Sequence, residues 1–170
     1  MIYFDCETSG LIKNLALPLA QQPYIIELGA VKTDNQGTEL EEFSCLIKPP
    51  IPIEPVITKI TGITNEQLAA EGMLFVEAWG ALAAFFLGER EMLAHNAAFD
   101  HSMLMIELSR IGKQYNFPWC SVVIDTMSRY HHKLSRWAQL VKGPDYVQPH
   151  RAVNDARLLR DCWFSGIGDE

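Results

Sequence analysis

Zinc spacings and a disulfide framework are both missing from this sequence. Its four cysteines, Cys6, Cys45, Cys120 and Cys162, lie far apart and form no C-x-x-C pair. A reducing, cytoplasmic setting is therefore expected. No secretory leader is expected either: no basic stretch precedes an apolar run at the start, and Asp5 and Glu7 interrupt the first hydrophobic residues. The most apolar stretch, MLFVEAWGALAAFFLG, carries Glu77 and falls short of a membrane span, so it reads as a core helix. Basic residues are scarce in the first half, where residues 1–85 hold eleven acids and four bases; residues 86–170 hold ten of each, so the net charge of −7 arises entirely before residue 86. There are no internal repeats, no low-complexity segments and no linker long enough to divide the chain. One domain over residues 1–170 is the expectation, large enough to bury a core without staples.

What is present is patterned. YIIELGAVKTD, the turn residues Asn35, Gln36 and Gly37, and TELEEFSCLIK read as two strands of a hairpin, which with the first strand make a three-stranded meander. PPIPIEP reads as a connection. Thr64 followed by Gln67 has the capping-box spacing of a helix start, and a second helix spans 73–87. EMLAH and SVVID read as strands, DHSMLMIELSRIG as a helix starting near Asp100, and KLSRWAQL and HRAVNDARLLRDCWF as the last two helices. Strands in a row followed by alternating helices and strands predict an α/β fold. Its central mixed sheet would join an antiparallel meander to parallel strands, with helices at its sides.

Carboxylates recur where core residues belong. In the stretch FDCET, Tyr3, Asp5 and Glu7 share one face of a strand and Ile2, Phe4 and Cys6 the other. A strand running out into solvent accounts for that pair alone. Asp100 lines up with Met103, Leu104, Leu108 and Ile111, where a helix cap is the simple alternative. Asp155 shares a helix face with Ala152, Ala156, Leu159, Cys162 and Trp163, at a position read as interior, where capping does not account for it. Four inward carboxylates from three elements suit a divalent cation, and oxygen ligation favours Mg²⁺ or Mn²⁺ over zinc. His150, held behind Pro149 at the lip of the last helix, becomes a candidate general base beside such a site. From Arg129 to Arg160 there are seven bases against two acids, a local stretch that suits a phosphate backbone or a solvated helix face.

The order D-x-E at Asp5 and Glu7, HNAAFD ending at Asp100, and HRAVNDA holding His150 and Asp155 closely resembles the DEDDh family of 3′→5′ exonucleases. That family includes the proofreading epsilon subunit of bacterial DNA polymerase, ribonuclease T and oligoribonuclease. The resemblance runs through nearly the whole chain: FDCETSGL, YIIELGAV, TGIT, IDT and KLSRWAQL all have counterparts. It implies a ribonuclease H-like fold, two divalent metals, and release of nucleoside 5′-monophosphates from a nucleic acid 3′ end. Asp5 would bridge both ions, Glu7 and Asp155 would complete one, Asp100 would support the other, and His150 would take the proton from the attacking water. Thr8, Leu11, Ile63, Asn96 and Phe99 would line the pocket for the last nucleotides, with core packing the alternative for Ile63 and Phe99. Arg151, Lys133 and Arg136 would meet phosphates.

Three features depart from the family pattern. Thr61 stands where the H-G-I element has its histidine; LIKNLALPLAQQP is long and apolar, suited to covering the active site or meeting a partner; and nothing after the last motif resembles a polymerase tether or clamp-binding peptide. A free-standing exonuclease domain is expected, with a replication partner such as a polymerase not evident. The Thr8-Ser9-Gly10 turn and HNAAFD favour single-stranded DNA and roles in replication, repair and proofreading. An RNA-directed enzyme of the oligoribonuclease or ribonuclease T kind stays open, because 2′-OH recognition depends on pocket shape. So does a non-catalytic nucleic-acid-binding module, although all five catalytic positions are filled.

Overall fold

The structure is a computed structural model that describes residues 1–167. Strands β1 (Ile2–Thr8), β2 (Ile25–Thr33) and β3 (Glu39–Leu46) form the antiparallel meander, and β4 (Glu91–Ala94) and β5 (Val122–Asp125) add parallel to β1 on its other edge. The sheet order is β3-β2-β1-β4-β5. This is the mixed sheet that the residue pattern predicts. The β2–β3 turn closes because Asp34 Oδ1 accepts from the backbone N–H of Gln36 and Thr38, each at 2.9 Å, while Gly37 takes a positive φ of 85°.

Seven α-helices accompany the sheet in the described residues, besides a 3-10 turn at Leu19–Gln21: α1 (Pro55–Thr61), α2 (Asn65–Glu71), α3 (Phe75–Phe86), α4 (Ala97–Arg110), α5 (Thr126–Tyr130), α6 (Leu134–Lys142) and α7 (Ala152–Phe164). Period-two alternation in β1 splits the core between the two faces of the sheet. Ile2, Phe4 and Cys6 pack with Leu82 and Phe86 of α3 and Met103 and Leu104 of α4, whereas Tyr3 joins Val31, Trp137 of α6, and Ala156 and Leu159 of α7. None of these helices is long and apolar enough to cross a membrane.

Two helices stand where no helix is read in the sequence. Pro55 sits at the first turn of α1, where its missing N–H costs nothing, and α1 ends on the left-handed Gly62. α5 is one short turn begun by Asp125, whose side chain accepts from Met127 N at 3.1 Å. The α2 start is as expected, with Thr64 accepting from Gln67 N at 3.1 Å. α4 begins at Ala97, three residues before the expected start, because Asn96 takes a left-handed φ of 76° ahead of it.

α7 lies directly on β2 at Gly29. A Cβ there would stand 2.1 Å from the backbone N of Val153 and 2.2 Å from the backbone carbon of Ala152. Main chain cannot swing aside as a side chain does, so Gly29→Ala is expected to push the first turn of α7 off the sheet and destabilise the protein by roughly 1–3 kcal/mol. Urea unfolding monitored by circular dichroism checks this; an unchanged midpoint would show that α7 yields freely.

Candidate active site

The site forms where β1 runs past the end of its parallel neighbour. β4 pairs with β1 only at Ile2 and Tyr3, so the outer edge of β1 is unpaired from there on. Asp100, in the first turn of α4, fills the gap: its Oδ1 accepts from the Cys6 backbone N–H and from Cys6 Sγ, both at 3.2 Å. Across β1, Asp5 stands opposite Gly29 and Glu7 opposite Glu27, so these side chains share the face that receives α7. Asp155 is therefore brought over Glu7 from above. α7 begins at Ala152, which places Asp155 in its first turn and not in its interior. Its carboxylate is nevertheless no cap for that helix; Oδ2 accepts from Gln148 Nε2 at 2.8 Å, while Oδ1 is buried with no hydrogen-bond partner. His150 lies before the helix with φ of 50°, at the lip where the sequence puts it. Ligand atoms of Glu7, His150 and Asp155 all lie within 4.8 Å of one another.

Burial and mutual repulsion dominate the electrostatics. Burial, then the charges of Asp100, Glu7, Asp155 and Glu27, hold the Asp5 carboxyl well above the usual range. Glu7 is pushed up to about 8 by burial and by Asp155, Glu27 and Asp100, against a smaller opposing pull from Arg151. Burial raises Asp100 to about 7 despite the bonds from Cys6. Asp155 rises to about 6, again through burial, with Gln148 and His150 pulling the other way. Carboxylates so crowded, one with an orphaned oxygen, suit hard divalent cations with oxygen ligation. The residues present therefore fit the metal dependence expected of such a site.

The residues expected around the pocket divide. Thr8 is half-buried with its hydroxyl donating to Gly10 O at 2.9 Å, Leu11 and Asn96 are exposed, and Phe99 is half-buried against the core. Ile63 is a correction: it is fully buried among Ile26, Leu46, Ile53 and Leu68 and offers no surface to a base. Thr61, at the position of the family's histidine, is buried at the end of α1, donating to Ile57 O and accepting from Ile63 N. Lys133 and Arg136 are exposed at the start of α6. Arg151 is engaged by Glu27 through Nε and Nη2. The 11–23 segment runs along α4, tied down by Arg110 Nη2 to Leu19 O at 2.8 Å and Gln22 O at 2.9 Å.

Two carboxylates near the site are absent from the residues singled out in the sequence. Glu27, 2 % exposed on β2, holds Arg151 and the N–H of Ala152. Its signal was the acidic residue inside the apolar run YIIELGAV. Asp125, the middle residue of IDT and the last of β5, accepts from Asn96 N at 2.9 Å and so fixes the turn that leads into α4 and Asp100. His95 reinforces that turn through Nδ1 and the Thr126 hydroxyl, 3.0 Å apart.

Comparison with known proteins gives a consistent picture. The family model described as Exonuclease, of the RNase T type, matches residues 2–160. The chain is 35% identical over 174 residues to the DNA polymerase III subunit epsilon of Treponema pallidum (strain Nichols), covering 96% of this chain and 74% of that one. It is 32% identical over 171 residues to the PolC-type DNA polymerase III of Caldanaerobacter subterraneus subsp. tengcongensis, covering 96% of this chain and only 11% of that much longer relative. Among solved structures, the nuclease domain of 3′hExo, a DEDDh family member bound to rAMP, superposes with a TM-score of 0.75 at 17% identity, covering 99% of this chain and 91% of that one. At such identity the superposition speaks for the fold.

Proposed function

The chain belongs to the exonuclease family of the RNase T type; from that premise we propose that it is a 3′→5′ exonuclease of the DEDDh kind, releasing nucleoside 5′-monophosphates from the 3′ end of single-stranded DNA. Residues 1–170 act as one exonuclease domain, with Asp5, Glu7, Asp100 and Asp155 holding two divalent cations, Mg²⁺ or Mn²⁺, and His150 as general base. The observation that carries this reading is the convergence of Glu7, His150 and Asp155 donors within 4.8 Å of one another, beside the orphaned Oδ1 of Asp155. When bound, the cations supply positive charge for the scissile phosphate and for the attacking and leaving oxygens. An imidazole nitrogen of His150 accepts the proton of the attacking water as that water adds to phosphorus and the bond to the 3′ oxygen breaks. Thr8, Leu11, Asn96 and Phe99 hold the terminal nucleotides, and Lys133 and Arg136 meet the phosphates behind them. The preference for DNA, and a polymerase as partner, are supported by relatives that are a subunit of, or a form of, DNA polymerase III.

Hydrolysis is expected to need Mg²⁺ or Mn²⁺ and to stop in excess chelator. Matched DNA and RNA oligomers carrying a 5′ label, digested by metal-stripped enzyme with and without Mg²⁺, check both points. Undiminished hydrolysis in chelator sinks the metal mechanism, and faster loss of the RNA oligomer makes the enzyme RNA-directed.

A further inference from the structure

We propose that Glu27 is a positioning residue for the reaction: a strand carboxylate that clamps the start of α7 and thereby sets His150 against Glu7 and Asp155. The idea rests on the reading of His150 as general base. Glu27 lies on β2 opposite Glu7 and is 2 % exposed. Its two oxygens take four contacts from consecutive residues: Arg151 Nε at 3.0 and 3.1 Å, Arg151 Nη2 at 2.6 Å and the Ala152 backbone N–H at 2.8 Å. The first residues of a helix leave backbone N–H groups without partners, and Arg151, at the N-cap position, offers no side-chain cap. Glu27 supplies that cap from the neighbouring strand, with a negative charge at the end of the helix where it is favoured.

Two further contacts make the clamp specific to His150. Two residues along β2, Gly29 meets Ala152 and Val153 so closely that a Cβ would stand 2.1 Å from the Val153 nitrogen, which fixes the depth of α7 as Glu27 fixes its end. On the other side of His150, Gln148 is bonded to Asp155 at 2.8 Å. His150 is thus held between two anchored residues. It needs this, because a non-glycine residue at φ of 50° sits in a sparsely populated region that persists only where its surroundings impose it. Released from Glu27, residues 150 and 151 would relax toward ordinary backbone and carry the imidazole away from the carboxylates. The bidentate Arg151–Glu27 geometry also holds the guanidinium against the sheet.

The test is single-turnover hydrolysis of labelled single-stranded DNA at saturating Mg²⁺, in the full chain, for wild type, Glu27→Gln, His150→Ala and the double variant. Glu27→Gln keeps the shape but loses the charge. It is expected to lower kcat roughly 10- to 100-fold, the range seen when a residue supporting a site's functional groups is lost, with KM for DNA nearly unchanged. In the His150→Ala background the same substitution should cost less than about threefold, since residues that act as a unit are not additive. Full additivity overturns the clamp while leaving His150 as base; a normal rate for His150→Ala overturns the reading of His150 and the clamp with it. Should Glu27→Gln not fold, Arg151→Lys replaces it in both backgrounds, because a lysine keeps the charge without the two-nitrogen grip. A rise in KM at constant kcat in that variant would make Arg151 a substrate contact and refute the clamp.

Discussion

Asp155→Ala is expected to abolish hydrolysis and leave a folded protein, and Asp5→Ala to do the same. Each removes a carboxylate from the centre of the site. Folding should survive because these groups repel one another: burial and the surrounding charges hold Asp5 far above its ordinary range and raise Glu7 to about 8, Asp100 to about 7 and Asp155 to about 6. Carboxylates whose folded values exceed their unfolded ones bind protons more tightly in the folded state. Their contribution to stability is fully present below the unfolded values near pH 4 and is lost as pH rises through about 6 to 8. Metal-free wild type should therefore melt at progressively lower temperature between pH 5 and pH 8, and Mg²⁺ should restore it at pH 8. Asp5→Ala should show a flatter profile and melt at or above wild type at pH 8 in chelator, with little response to Mg²⁺. Circular dichroism melts at pH 5 and 8, with chelator and with Mg²⁺, read all of this. A variant that unfolds, or a metal-free wild type that gains stability toward pH 8, would make the carboxylates structural.

Much of this site is legible in the sequence because period-two and helical patterns report direction. Asp5 and Glu7 alternate with Ile2, Phe4 and Cys6, and the structure sends the two sets to opposite faces of the sheet. Asp100 and Asp155 fall on apolar stripes and are 3 % and 1 % exposed. What the pattern does not carry is contact across elements. Glu27 and Arg151 lie far apart in the chain and meet only because β2 is the strand beneath α7; before folding, Glu27 is one acid in an apolar run and Arg151 one base in a basic stretch. Ile63 shows the converse: its apolar character suits a base-stacking surface as well as a core, and only its packing among Ile26 and Leu68 decides. α1 was hidden by Pro52 and Pro55, which signal a connection when counted together, yet Pro55 alone opens a helix.

His150→Ala is expected to lower the maximal rate roughly 10²–10⁴-fold, the range for loss of a general base. In wild type the rate should rise with pH and then level, since only neutral imidazole can accept the proton of the attacking water. The variant should lose that rising limb when metal saturates the carboxylates and keeps them ionised. The structure adds an alternative with its own signature: the His150 ligand atom lies within 4.8 Å of those of Glu7 and Asp155, near enough for imidazole to serve as a metal ligand. Loss of a ligand would raise the Mg²⁺ concentration for half-maximal rate by orders of magnitude and leave the rate at saturating metal near normal. Loss of a base would leave that concentration nearly unchanged, since Asp5, Glu7, Asp100 and Asp155 are all retained. Single-turnover rates across pH, each titrated with Mg²⁺ to saturation, separate the two. A maximal rate equal to wild type would remove His150 from proton transfer, and the positive φ of 50° at this residue would then serve only to turn the chain into α7.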